Sequence, residues 1–187
     1  MDQRGLVERA QRGDHDAFAV LASEAIARLD AAARLILRDG ELARDAVQEA
    51  MVRSWRDLPT LRDVDRFDAW VHRLLVNACL DILRRRRRRA VEVELTPIFT
   101  PATADFTAAV VDRDLLDRGL QALEPGWRAI VVLHYFLGMP LPDVASALGI
   151  PLGTAKSRLH RSIGVLRATV DGDAVANTAA VPEGRLA

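Results

Sequence analysis

Apolar residues recur at every third or fourth position along most of the chain, which is the spacing of one face of an α-helix. Runs in which apolar and polar residues alternate, as in a half-buried β-strand, are nearly absent. A first long helix is predicted to begin after an N-cap at Asp14 and to end near Asp39 and Gly40. Its apolar positions are Phe18, Leu21, Ile26, Leu29, Leu35 and Leu37. The pattern therefore predicts an all-α fold.

A second helix is predicted from about Glu41 to Asp57, because Pro59 cannot continue a helix. Its apolar side consists of Leu42, Val47, Met51, Trp55 and Leu58. A loop over residues 59–65 leads into a third helix with apolar positions at Phe67, Val71, Leu74, Leu75, Ala78 and Ile82. The same helix carries a polar stripe, whose members are three or four residues apart and therefore share one face. This stripe consists of Arg73, Asn77, Asp81, Arg84 and Arg88.

Helical periodicity is weak in residues 91–109, which contain two prolines and four threonines. Such a composition is typical of a linker. We therefore predict two small helical domains joined by a flexible linker. The first domain covers residues 1–90, the linker 91–109, the second domain 110–170, and a disordered tail 171–187.

The second domain contains the pattern of a helix-turn-helix, preceded by helix signals at about 112–122 and 126–137. The small side chain of Ala145 lets two helices approach closely, and Gly149 permits a tight turn between them. Aliphatic residues hold the second helix against the first. The positions that match the template are Val144, Ala145, Leu148, Gly149, Ile150, Ala155, Leu159 and Ile163.

Two pairs of polar residues then point away from this apolar side at a spacing of i, i+4. They form what we call the basic face, which consists of Lys156, Ser157, His160 and Arg161. These four side chains are suited to reading bases in a major groove, while Thr154 and Arg158 at the flanks are suited to phosphate contacts. The alternative is an ordinary helical hairpin with a solvated basic surface.

The 187-residue chain has 26 basic and 26 acidic residues, so its net charge is zero, but these charges are unevenly distributed. Residues 84–89 are six consecutive arginines, and residues 151–167 contain no acid. An acidic connector lies between these two basic stretches. Two separate basic surfaces indicate a polyanionic partner, although the net charge of the chain is zero.

Several classes of protein are excluded by composition. The single cysteine, Cys79, excludes an internal disulfide and a multi-cysteine zinc site, and its apolar neighbours favour a buried small side chain. The longest apolar runs are too short to cross a bilayer, and the N-terminus lacks the apolar stretch of a signal peptide. We therefore expect no membrane span and a cytoplasmic location. The four histidines are His15, His72, His134 and His160. They lack the spacing of a metal site or a catalytic triad, so we predict no metal, cofactor or catalytic residue.

Three segments resemble the extracytoplasmic-function (ECF) sigma factors, the compact two-domain class of bacterial RNA polymerase initiation factor. Residues 45–55 resemble the family's region 2.2, and residues 66–85 resemble its regions 2.3 and 2.4. Residues 123–139, together with the helix-turn-helix, resemble its region 4. The chain has Ala50 and Met51 where the family usually has a Thr-Phe or similar pair.

The resemblance implies an alternative sigma factor, responsive to stress or another signal, that directs core RNA polymerase to specific promoters and aids promoter melting. It implies docking on the β′ clamp helices by Asp45, Gln48, Glu49 and Arg53, of which the first three form a patch on one helix face. It implies minus-ten contacts by Arg73, Asn77, Asp81, Arg84, Arg85 and Arg88. It implies minus-thirty-five contacts by Thr154, Lys156, Ser157, Arg158, His160 and Arg161.

The family also implies that the loop over residues 58–66 captures a flipped-out minus-ten base. We expect Asp81 to orient a neighbouring arginine, because a carboxylate is repelled by phosphate. Phe67 and Trp70 have core spacing, although aromatic rings near a melting site could stack on unpaired bases. The implied partners are core RNA polymerase, through its β′ and β subunits, promoter DNA and an anti-sigma protein.

Two other classes of function remain open. A stand-alone transcriptional regulator with a helix-turn-helix would bind duplex DNA tightly without polymerase, but it would leave the patch on the second helix without a purpose. An enzyme would require converging catalytic groups, which the sequence does not show. The resemblance therefore favours a factor with no chemistry of its own.

Overall fold

The computed structural model of the chain describes residues 2–92 and 110–179. The predicted linker lies largely outside these ranges, as do residues 180–187 of the predicted tail. Within the described ranges the protein is helical and contains no strand, which confirms the all-α prediction. The α-helices are α1 (Gln3–Gln11), α2 (His15–Leu37), α3 (Gly40–Asp57), α4 (Phe67–Glu92), α5 (Val110–Gln121), α6 (Pro125–Val131), α7 (Leu141–Leu148) and α8 (Leu152–Ala179).

Side-chain caps begin α2 and α3. The Asp14 carboxylate accepts a hydrogen bond from the Ala17 amide at 3.0 Å, as the sequence predicts for α2. The Asp39 carboxylate likewise accepts from the amide of Leu42 at 3.1 Å and begins α3. Gly40 is therefore the first residue of α3, whereas the sequence pattern predicts that α2 ends near it. Arg38 ends α2 instead, with a left-handed φ of 56°.

Buried residues of both halves form one continuous core, and Ile26 is a predicted apolar position of α2 that lies outside it. Leu21, Leu29 and Ile36 of α2 are buried, whereas the Ile26 side chain is 46% exposed. Five helical residues rotate a side chain by about 140°, so Ile26 lies on the opposite side of α2 from Leu21. The prediction was wrong there because it counted apolar residues without tracking their angle.

The second half is built from α5 to α8. Helix α6 continues into a π-helical turn over Val132–Phe136, and the helix-turn-helix follows as α7 and α8. Gly149 joins them with a left-handed φ of 64°, which a glycine adopts without strain. Helix α8 extends to Ala179, so the part of the predicted tail before residue 180 is helical.

Polar contacts and packing connect the two halves. The Arg38 guanidinium donates to the Asp117 carbonyl oxygen at 2.7 Å, and Arg28 donates to the Phe136 carbonyl oxygen at 3.3 Å. Arg66, just before α4, pairs with Asp143 of α7, and α4 packs against α7. No helix among the described residues has the length and apolar character to cross a bilayer.

Candidate nucleic-acid interface

The basic face lies exposed on the first half of α8. Val144 and Ala145 of α7 are buried together with Ala155 and Leu159 of α8, so α8 is anchored through its opposite side. All four members of the basic face are exposed, whereas Thr154 and Arg158 are half-buried. The predicted division of α8 into an anchoring side and an exposed polar side is therefore present in the structure.

The polar stripe runs along the exposed side of α4. Arg73, Arg84 and Arg88 are exposed, and Asn77 and Asp81 are half-buried between them. The Arg84 guanidinium donates to the Asp81 carboxylate at 2.8 Å. Asp81 thus orients an arginine of the stripe, as the sequence predicts. Arg85 is exposed next to the stripe.

The patch on α3 is exposed and is connected to the polar stripe by ion pairs. Asp45, Gln48 and Glu49 are all accessible to solvent. Arg53 donates to the Glu49 carboxylate at 2.6 Å, and its guanidinium also lies 3.7 Å from the Asp81 carboxylate. Since Arg53 is largely covered between the two helices, we expect it to orient Glu49 and Asp81 rather than to contact a partner alone.

A recess of about 300 Å³ lies between the loop over residues 58–66 and α7. We call it the loop recess. Its charged lining residues are three arginines and two aspartates, and half-buried Trp70 gives it an aromatic surface. Arg62 and Arg73 are exposed, and the third arginine, Arg66, is paired with Asp143. Trp70 also packs against the core, as its spacing predicts, and Phe67 is fully in the core. The lining residues from the second half are Met139, Asp143, Ser146 and Ala147.

Helix α1 holds this loop, and the sequence did not reveal it. The Gln11 side-chain amide donates to the carbonyl oxygens of Leu58 and Leu61 at 3.2 and 2.7 Å. The Arg4 guanidinium lies 3.0 Å from the Asp65 carboxylate. Helix α1 is short and mostly polar, and its contacts join residues far apart in the chain. The sequence signal for this helix was limited to three apolar residues at helical spacing, Leu6, Val7 and Ala10, all of which are buried.

Burial changes the pKa of three groups. It raises the pKa of the Cys79 thiol to about 12, in agreement with a buried small side chain. It lowers the pKa of His72, whose Nδ1 has no hydrogen-bond partner in the part of the chain that the structure describes. Burial, together with the charge of Arg38, lowers the pKa of Arg128 to about 10. Arg128 donates to the Leu123 carbonyl oxygen at 3.0 Å and pairs with no described carboxylate.

None of these groups forms a cluster suited to metal chemistry. Among the described residues, no three His, Cys, Asp or Glu side chains lie close enough to hold a metal ion. The exposed surfaces built by α3, α4 and α8 are instead charged and polar, which suits binding to macromolecules.

Two family profiles match the chain. The family described as Sigma-70 region 2 matches residues 21–89, and the family described as Sigma-70, region 4 matches residues 113–163. The first match contains α3 and the polar stripe. The second contains the helix-turn-helix and the basic face.

Curated relatives are similar over most of the chain. The ECF RNA polymerase sigma factor SigM of Mycobacterium tuberculosis is 37% identical over 150 residues, which is 80% of this chain and 75% of the relative. The RNA polymerase sigma-E factor of Streptomyces coelicolor is 34% identical over 135 residues, which is 72% of this chain and 75% of the relative.

Solved structures share the fold. CnrH in complex with the cytosolic domain of CnrY is 28% identical, with a TM-score of 0.66 over 91% of this chain and 98% of that chain. The sigma factor RpoE of Bartonella quintana, in complex with the anti-sigma factor NepR, is 22% identical, with a TM-score of 0.72. That match covers 82% of this chain and 96% of the other, and at this identity it supports the fold alone.

Proposed function

The chain belongs to the ECF subfamily of the sigma-70 family of RNA polymerase sigma factors, and from this we propose how its two halves act in transcription initiation. It is an alternative sigma factor that directs core RNA polymerase to promoters. The observation that carries this conclusion is the presence on one chain of both family regions, each with its predicted surface exposed.

The second half reads the minus-thirty-five element in this proposal. The basic face enters the major groove, and Thr154 and Arg158 contact the phosphates on either side. Support comes from the exposure of the basic face and from the buried anchor of α8 on α7. Because arginine and lysine contribute most of the charge, this contact weakens as salt increases.

The first half holds the unpaired strand of the minus-ten element. Arginines of the polar stripe, with Arg85, contact phosphates, and Asn77 lies within reach of exposed bases. Asp81 acts by orienting Arg84, to which it is hydrogen-bonded at 2.8 Å. The loop recess, with its arginines and Trp70, has the chemistry that an unpaired base and its phosphate require.

Docking on the polymerase uses the patch on α3. Its carboxylates meet the basic β′ clamp helices, and Arg53 keeps Glu49 in place. The β subunit is the second contact within the polymerase. In this proposal, the linker predicted from the sequence connects the two DNA-binding halves at the predicted domain boundaries. The polymerase carries out catalysis, and the chain contributes no catalytic group. The chain acts in the cytoplasm, where the polymerase acts.

An anti-sigma protein is a further partner. CnrH and RpoE, whose structures this chain resembles, are described in complexes with the cytosolic domain of CnrY and with the anti-sigma factor NepR. Such a protein would mask the surfaces that bind polymerase and DNA. We propose the same form of control here.

The polymerase contact is tested by charge reversal on α3. The variant Asp45→Arg, Glu49→Arg should bind core polymerase about tenfold or more weakly in a fluorescence anisotropy titration, because like charges then face the clamp helices. The matched control is Glu24→Arg, which reverses an exposed charge on α2. Equal binding by both variants and the wild type would remove α3 from the polymerase contact. Tight, selective duplex binding without polymerase would favour the stand-alone regulator.

A further inference from the structure

Helix α1 lies before the segment that matches Sigma-70 region 2, which begins at residue 21. It nevertheless packs on the loop over residues 58–66, where a three-residue 3₁₀ turn spans Leu58–Thr60. Gln11, the last residue of α1, reaches that turn with its side chain. No role for Gln11 follows from either matched region.

Both partners of Gln11 are backbone carbonyl oxygens, so they must be met by the amide NH₂ group and not by its oxygen. Nε2 lies 3.2 Å from the Leu58 oxygen and 2.7 Å from the Leu61 oxygen, which uses both of its hydrogens. The Leu58 oxygen also accepts from the Leu61 amide at 3.0 Å. Gln11 therefore ties together the beginning and the end of the turn.

The turn satisfies only the first of these carbonyls by itself, since the Leu58 oxygen accepts from the Leu61 amide. The Leu61 oxygen is part-buried, and Gln11 is the partner that the structure records for it. Losing a partner at a covered carbonyl is more costly than losing one in water. Without Gln11 we expect the turn to shift toward solvent until water reaches the Leu61 oxygen.

The position of this turn determines the shape of the loop recess. Thr60, Leu61 and Arg62 of the loop line the recess together with Trp70 and Arg73 of α4. The Leu58 side chain is fully buried and anchors the start of the turn in the core. Beyond Leu58, the hydrogen bond from Gln11 to the Leu61 oxygen holds the first part of the loop, and the pair of Arg4 with Asp65 holds its second part.

We propose that Gln11 is a positioning residue for promoter recognition, which holds the side of the loop recess formed by the loop and α4 in the shape that accepts an unpaired minus-ten base. This inference rests on the function proposed above. Gln11 does not touch DNA in this account. It acts through the two backbone carbonyls, so its removal should weaken recognition of one base and leave the other promoter contacts intact.

The test combines a variant with a missing base. Gln11→Met removes the donors while keeping a similar length, and its holoenzyme is titrated with minus-ten strands that each lack one base. We expect about fivefold weaker binding of the complete strand, from the loss of two hydrogen bonds partly transmitted to the recess. On the strand that lacks the captured base, wild type and variant should bind alike, because the two changes remove the same interaction.

Gln3→Met is the matched control. Gln3 also donates its side-chain amide from α1, at 2.8 Å, but its acceptor is Asp68 of α4 and not the loop. Gln3→Met should leave the binding of both strands unchanged. Gln11→Lys retains a donor and should restore part of the binding. Equal weakening by Gln11→Met on every strand would indicate a general folding defect and overturn the proposal, as would an equal loss with Gln3→Met. If wild-type holoenzyme binds no promoter, the proposed function fails and Gln11 is not at issue.

Discussion

Single residues show where the fold tolerates buried polar groups. His72 of α4 is only 8% exposed, and its Nδ1 has no hydrogen-bond partner among the described residues. Glu24 and Arg28 of α2 and Asp68 of α4 line the same small cavity. Burial lowers the pKa of His72, the charge of Asp68 raises it, and that of Arg28 lowers it again. The neutral imidazole is therefore the form that the folded protein prefers.

This preference predicts acid sensitivity. In the unfolded chain His72 has a pKa near 6.5, whereas its folded pKa is lower. As the pH falls through 6.5, the unfolded state takes up a proton that the folded state resists, so the free energy of unfolding decreases. His72→Leu should remove this part of the decrease between pH 7 and pH 5 in urea titrations. An unchanged pH slope in the variant would show that His72 is not its source.

Exposure of single side chains was predictable where the pattern was local. The basic face follows from positions four residues apart on α8, and all four side chains are exposed. The burial of His72 and Arg128 was not predictable, because it depends on neighbours brought from other helices. Trp70 lies between these cases, since spacing predicts its packing against the core but not the loop recess beside it.

At the scale of the element, the turn between α7 and α8 depends on Gly149. Its φ of 64° is strained for any residue with a Cβ atom, although no neighbour lies within 4 Å of that position. Gly149→Ala should lower the free energy of unfolding by about 1 kcal/mol, as expected for a left-handed residue. The control is Gly164→Ala in the middle of α8, where space is also open. That change should raise stability by up to about 1 kcal/mol, because alanine favours a helix. Thermal unfolding of both variants tests this prediction, and equal shifts in their melting temperatures would contradict it.

Most helices were predictable because their apolar spacing is long and regular. Helix α3 was predicted to end at Asp57, and it does, since Pro59 follows. The junction between α2 and α3 was misassigned because Asp39 caps α3 and forces Gly40 into it. Helix α1 was missed because nine residues with few apolar positions carry too little periodicity.

The whole molecule shows its two halves in contact, and promoter binding requires that they separate. Centres of the minus-ten and minus-thirty-five elements are roughly 80 Å apart along the duplex, at 3.4 Å per base pair. The contact between Arg66 and Asp143 holds α7 against the loop recess. Sequence patterns alone did not predict this contact, because it joins residues distant in the chain.

The contact predicts how the distance between the halves responds to substitution and to polymerase. Spin labels at Ser23→Cys and Gln121→Cys report it, since the buried Cys79 thiol, whose pKa is raised to about 12, will not react. Asp143→Asn should increase the separated population about two- to fivefold, as expected for a partly exposed ion pair. The control Asp171→Asn, exposed on α8, should have no effect. Core polymerase should shift the wild type to long distances. A distance distribution that stays the same both in Asp143→Asn and on addition of core polymerase would contradict the account.

The central claim is that this chain confers promoter specificity on a polymerase that lacks it. The most direct test is run-off transcription by purified bacterial core polymerase on a library of promoter fragments, with and without the protein. The account predicts sequence-dependent initiation only when the protein is added, from fragments that share two conserved elements. Initiation that does not change when the protein is added, together with tight duplex binding by the protein alone, would contradict it.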